Sequence, residues 1–147
     1  MSVTVEIDVP QPRADVYAFL DVMANHEQFT DHMLTEWKVS GPATGIGSKA
    51  HVTSTVGGRK DGIDIEVIEV VPDVLIKERN IARKGRRVGT GTYRLSDLPG
   101  GGTRVEFEYA FERIPAVEKP FKPLMLSLLR KGNARALARL KESLAAT

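Results

Sequence analysis

The stretch GTRVEFEYAFERIPAVEKPFKPLMLSLLRKGNARALARLKESLAAT (Gly102–Thr147) sets the architecture, because its hydrophobic period changes once along its length. At first Thr103, Val105, Phe107, Tyr109 and Phe111 alternate with Arg104, Glu106, Glu108, Ala110 and Glu112. A period of two is a strand with one covered face. Pro115, Pro120 and Pro123 follow, and proline is tolerated in the first turn of a helix but not inside one. From about Phe121 to Ala146 there is no further proline apart from Pro123, and Met125, Leu128 and Leu129, then Leu137, Leu140 and Leu144, recur at helical spacing. Roughly 24 residues at 1.5 Å each give a rod of about 36 Å, enough to cross a sheet. Gly132 and Asn133 interrupt it at a cost of about 1 kcal/mol; they serve either a close crossing or room for a ligand.

Upstream, Val3, Val5, Ile7 and Val9 alternate with polar residues until Pro10 and Pro12, which cannot donate to a ladder. In RADVYAFLDVMAN, Val16, Phe19, Leu20 and Met23 share one helical face; Asn25 reads as a stop, and HEQFTDHM as a second short helix carrying Phe29 and Met33. From Glu36 to Arg113 the signal is β. Trp37 and Val39 lead to a Gly41-Pro42 turn. Ala50, Val52, Ser54 and Val56 share one face of the next strand, Gly57-Gly58 and Asp61-Gly62 mark a hairpin, and Ile63, Ile65 and Val67 continue until Pro72. Leu75–Ile81 and Arg86–Ser96 follow, the second closed by Pro99 and three glycines. Strands joined by short turns pair antiparallel. The expected fold class is therefore α+β: a curved antiparallel sheet of about seven strands around a long C-terminal helix, with two short helices between strands 1 and 2. A single helix cannot fill such a sheet, and the gap is a cavity. No internal repeat or linker appears, so residues 1–147 read as one domain.

Composition limits the chemistry. The chain has 147 residues, 41% hydrophobic and 27% charged, with no cysteine. Thiolate metal sites, iron–sulfur clusters and cysteine nucleophiles are excluded. There is no secretory pattern at the N-terminus and no spanning apolar run, so the expectation is a cytoplasmic protein without stable membrane insertion. The net charge of +2 is uneven: Glu118–Thr147 holds seven Lys and Arg against two Glu. A solvated helix face accounts for that excess; an anionic partner is the alternative. No nucleic-acid partner is expected, and the chain is expected to be a monomer or weak homodimer. His26 and His32 do not share a helix face, so no metal or other cofactor is expected. GPATGIGSK carries Gly-Ser-Lys where a phosphate loop needs Gly-Lys-Ser, and a strand follows it.

The element order resembles the START-like, birch-pollen-allergen-like helix-grip superfamily and, within it, polyketide cyclase/dehydratase-type (SRPBCC) proteins. Several segments carry the likeness: a first strand ending in proline and leading into Asp15-Val16-Tyr17-Ala18-Phe19-Leu20-Asp21; the Gly45-Ile46-Gly47 turn; Glu69-Val70-Val71-Pro72 before Leu75; and Tyr93-Arg94-Leu95 followed by a glycine turn and Gly102-Thr103-Arg104-Val105. The resemblance implies a hydrophobic ligand, a lipid or polyketide-like compound, and does not choose between carriers, receptors and cyclases.

The strand LIKERNI (Leu75–Ile81) turns a charge toward the cavity in either parity: Lys77 and Arg79, or Glu78 with Asn80. Arg79 inward is the favoured reading, as a donor to a ligand carbonyl or carboxylate. Tyr93 and Tyr109 fall on apolar parities, and Gly89 and Gly91 leave open volume beside Tyr93. The expected binding residues are Phe29, Met33, Trp37, Val52, Ser54, Ile65, Arg79, Gly91, Tyr93, Phe107, Tyr109, Met125, Leu128 and Leu129. His26 is expected to cap a helix or to sit at the pocket mouth. Under an aromatase/cyclase or dehydratase reading, Arg79 with Tyr93 or Tyr109 is the catalytic pair. The third reading is an interaction module built on the basic helix.

Overall fold

The computed structural model describes residues 2–56 and 58–147. The strands are β1 (Ser2–Val9), β2 (Leu34–Ser40), β3 (Lys49–Val56), β4 (Arg59–Val71), β5 (Leu75–Ala82), β6 (Arg87–Asp97) and β7 (Thr103–Arg113). They form one seven-stranded sheet in the order β1-β7-β6-β5-β4-β3-β2, antiparallel at every pairing. Consecutive strands β1 and β2 are thus the two edges, and the helical insert between them travels from one edge of the sheet to the other.

The insert is three pieces: α1 (Arg13–Asp21), a 3-10 turn Met23–His26, and the single turn α2 (Glu27–Thr30). Val16, Phe19, Leu20 and Met23 are all buried. The break after α1 has a local cause. Asn25 Nδ2 donates to the Phe19 carbonyl at 2.9 Å, and His26 Nε2 donates to the Leu20 carbonyl at 2.7 Å. Two side chains therefore cover carbonyls that the end of a helix leaves without partners. The second helix is shorter than the sequence suggests, but Phe29 is buried on it and Met33 follows it.

Glycines position the inner rings. In β6, Gly91 lies beneath Phe107, whose ring edge would stand 2.9 Å from an added Cβ, and Gly89 lies closer still beneath the Tyr109 hydroxyl. The open volume expected beside Tyr93 is therefore filled by these two rings. Asp61-Gly62 is not a turn but part of β4, opposite Ser54 and Thr53; an added Cβ on Gly62 would stand 3.3 Å from the His51 ring. The expected hairpin at Gly57-Gly58 falls on Gly57, which lies outside the described residues.

After the 3-10 turn Ala116–Phe121, α3 (Lys122–Ala145) runs 24 residues with Pro123 in its first turn. It packs chiefly on β1 and α2. Its buried residues are Asn133, Ala136, Leu137, Leu140 and Leu144, all from the middle of the helix onward. The N-terminal half is looser: Phe121 and Leu124 are 60% and 58% exposed. Gly132 resolves in favour of a close crossing, because a Cβ there would meet Met33 Sδ at 2.8 Å. Among the described residues no helix is long and apolar enough to cross a membrane.

Candidate functional site

Where α3 stands off the sheet there is a cavity of about 700 Å³, counting the space open at its mouth. The insert contributes His26, Phe29, Thr30 and Met33; the outer strands contribute Leu34, Trp37, Ser54, Ile63 and Ile65; the central strands contribute Glu78, Asn80, Tyr93, Phe107 and Tyr109; α3 closes it with Leu129, Asn133, Ala136 and Leu137. Trp37 reaches the wall because β2 carries a register shift between Thr35 and Lys38, with Glu36 at φ 55. Its indole nitrogen donates to the Leu34 carbonyl at 3.1 Å.

Nine of the expected binding residues line this cavity: Phe29, Met33, Trp37, Ser54, Ile65, Tyr93, Phe107, Tyr109 and Leu129. Val52 is fully buried in the core. Gly91 lies under Phe107. Met125 lines an adjoining chamber, and Leu128 is half-buried on α3 without lining either space. His26 caps the end of α1 through the Leu20 carbonyl and does not sit at the mouth: it is 3% exposed, set in the wall between Phe29 and Tyr93 with ring centroids 5.3 and 5.7 Å away. Burial lowers its pKa, against the Leu20 carbonyl, which raises it; the imidazole is neutral.

Arg79 is not in the cavity. Burial of Ile76 and Ala82 fixes the parity of β5, so Glu78 and Asn80 face inward and Arg79 faces out. Its side chain is 44% exposed and lies 3.8 Å from Glu112 on the outer face. The pairing of Arg79 with an inward tyrosine is therefore not assembled.

Glu78 is the polar feature of the cavity that the favoured parity missed. It is 5% exposed. Burial pushes its carboxyl up to about 7, as expected for a charge without a compensating cation. Its Oε2, the Asn80 Oδ1 and the Asn133 Nδ2 are buried and have no hydrogen-bond partner among the described residues. Burial, then the Glu78 charge, raise the Tyr93 hydroxyl well above its usual value. Burial pushes Tyr109 up to about 12, while the neighbouring Asn80 amide pulls it back. The chamber is thus aromatic and uncharged save for one carboxyl that binds and releases a proton near neutrality.

The adjoining chamber, about 570 Å³ counting its open side, shares Ser54, Ile63, Tyr109 and Leu129 with the first. Here the charges are paired. Glu118, with a side chain only 4% exposed, accepts from Arg87 Nε and Nη2 at 2.9 and 2.8 Å, and Asp61 accepts from Arg87 at 3.2 Å. Arg83 lies 3.1 Å from Asp61, and Arg59 lies 3.5 Å from Glu118. Burial opposes the Arg87 charge, but the two carboxylates outweigh it and raise its pKa.

Comparison with known proteins agrees with this geometry. Residues 1–145 match the family model described as polyketide cyclase / dehydrase and lipid transport. TTHA0849 from Thermus thermophilus superposes with a TM-score of 0.80 at 20% identity, covering 99% of this chain and 98% of that one. MLL2253 from Mesorhizobium loti gives 0.75 at 16%, covering 100% and 98%. Ara h 8.0201 gives 0.70 at 10%, covering 100% and 99%. These structures share the fold. No curated protein matches the chain.

Proposed function

The chain belongs to the polyketide cyclase/dehydrase and lipid transport family of helix-grip (SRPBCC) proteins, and from that premise we propose that it binds an apolar or aromatic small molecule between the sheet and α3. The observation that carries this reading is the composition of the chamber, walled chiefly by aromatic and aliphatic side chains of α2, β2, β4, β6, β7 and α3, with a minority of polar groups set among them. That is the composition of a site that recognises shape and apolar surface first and orients its ligand with a few polar contacts. A rigid aromatic body gains from the offset stacking partners that Tyr93 and Phe107 supply, with ring centroids 4.6 Å apart.

The cyclase or dehydratase reading keeps the same chamber but needs a proton-transferring group that touches the ligand. Arg79 does not supply it from the outer face, so the expected Arg–Tyr pair falls away and Glu78 is the group of the lining left to that reading. The interaction-module reading loses two of the cations of α3 to contacts within the chain: Arg139 pairs with Asp31 and donates to His32, and Arg130 donates to the Thr4 carbonyl.

Native mass spectrometry of freshly purified protein tests the proposal. The expected result is a co-purified apolar molecule, or saturable uptake of an anilinonaphthalene dye by emptied protein. Absence of both, with the protein folded, overturns it.

A further inference from the structure

Acids that come into the interior elsewhere in this chain are given cations: Glu118 and Asp61 hold Arg87 between them, with Arg83 and Arg59 alongside. Among the described residues Glu78 is given none, although the next residue, Arg79, points to solvent. An isolated carboxylate in an apolar chamber is costly, and truncating a pair leaves that full cost behind. The groups facing Glu78 do not relieve it. Tyr93 and Tyr109 come from β6 and β7, His26 from the turn before α2, and Asn133 from α3. The tyrosine hydroxyls are held protonated and the imidazole neutral. Asn80, two residues along the same strand face, presents a second acceptor, its unpartnered Oδ1. Around these acceptors stand the rings of Trp37, Tyr93, Phe107 and Tyr109, and an aromatic face attracts a cation.

We propose that the missing cation arrives with the ligand: the cavity selects a lipophilic or aromatic amine whose ammonium group seats on Glu78 and donates to Asn80, while its apolar body lies against Trp37, Tyr93 and Phe107. This rests on the reading of the chamber as a small-molecule site and specifies the ligand's head group. Ion pairing in a desolvated chamber is far stronger than at a surface, so the head group, not the apolar body, sets the preference.

The test is isothermal titration of the full chain with two probes of one shape, naphthylmethylamine and naphthalenemethanol. The amine is expected to bind at least about tenfold more tightly near neutrality and above, the increment of a desolvated charge-assisted bond over a neutral one. Its affinity is expected to rise about tenfold across the pH interval centred on about 7, while that of the alcohol changes little. Glu78→Gln, which keeps the side-chain shape, is expected to bring the amine down to the level of the alcohol and to leave the alcohol bound. Equal binding of the two probes by the wild-type chain overturns the amine assignment and leaves the small-molecule site standing. So does an amine preference that survives Glu78→Gln. Failure of both probes to bind overturns the amine assignment, and the small-molecule reading falls with it where uptake of the anilinonaphthalene dye fails as well.

Discussion

Glu78 makes the folded chain hold a proton that the unfolded chain releases. Between the ordinary glutamate value of 4.5 and about 7, the native state binds more protons than the unfolded state, so stability falls as pH rises through that interval and levels off above it. The burial penalty reaches about 3 kcal/mol at the alkaline end. His26 acts in the opposite sense: its lowered pKa means that the unfolded chain takes up a proton first as pH falls below the usual histidine value, and stability is lost on the acid side. The two overlap, so the informative quantity is the difference between wild type and Glu78→Gln in urea unfolding. That difference is expected to grow in favour of the variant from about pH 5 to about pH 7; a flat difference would mean that the carboxyl is solvated. The sequence reaches the cavity-facing charge on this strand but not its identity. Alternation in LIKERNI leaves two parities, and what selects one is long-range: Ile65 pairs with Asn80 and Val67 with Glu78, just before a register shift between Val67 and Glu69.

At the scale of elements, the strands and the terminal helix are legible because each carries its period over many residues. The insert is less so, since its breaks are made by Asn25 and His26 bonding back to α1, an arrangement that no period announces. The two interrupting residues of α3 divide their roles. Asn133 faces the cavity, while Gly132 admits Met33. Gly132→Ala gains about 1 kcal/mol of helix propensity but drives the new Cβ against Met33 Sδ, so little net stabilisation is expected in the wild-type chain. In a Met33→Ala background the same change is expected to stabilise by about 1 kcal/mol, and a double-mutant cycle of denaturation midpoints reads the coupling. The 3-10 turn before α3 is held differently, by Glu118 inserted among guanidinium groups. Removing it as Glu118→Ala strands Arg87 beside Asp61 alone and is expected to cost about 3 kcal/mol by denaturant titration, while Glu118→Gln, which retains an acceptor, costs less.

The cavity belongs to no single element. A sheet bent enough to wrap α3 can be filled by it only where its side chains are long and turned inward, as at Leu137, Leu140 and Leu144; one turn before Leu140 the inward position is Ala136. There the helix leaves space, and the aromatic side chains of β2, β6 and β7 line it without closing it. Ala136 is 6% exposed and lines the cavity, so Ala136→Leu extends an apolar side chain into the space a ligand needs. Filling a void with apolar atoms stabilises by about 0.8 kcal/mol for each buried methylene, less whatever strain the fit imposes. The expected outcome is a melting temperature equal to or above that of the wild type, together with at least about a tenfold loss of naphthyl-probe affinity, since the probe must displace or avoid the new side chain. The two readouts separate the possibilities. Loss of both stability and binding would mean that this part of α3 is already tightly packed. Retained affinity with retained stability would move the ligand out of this cavity and into the adjoining chamber beside Met125 and Arg87.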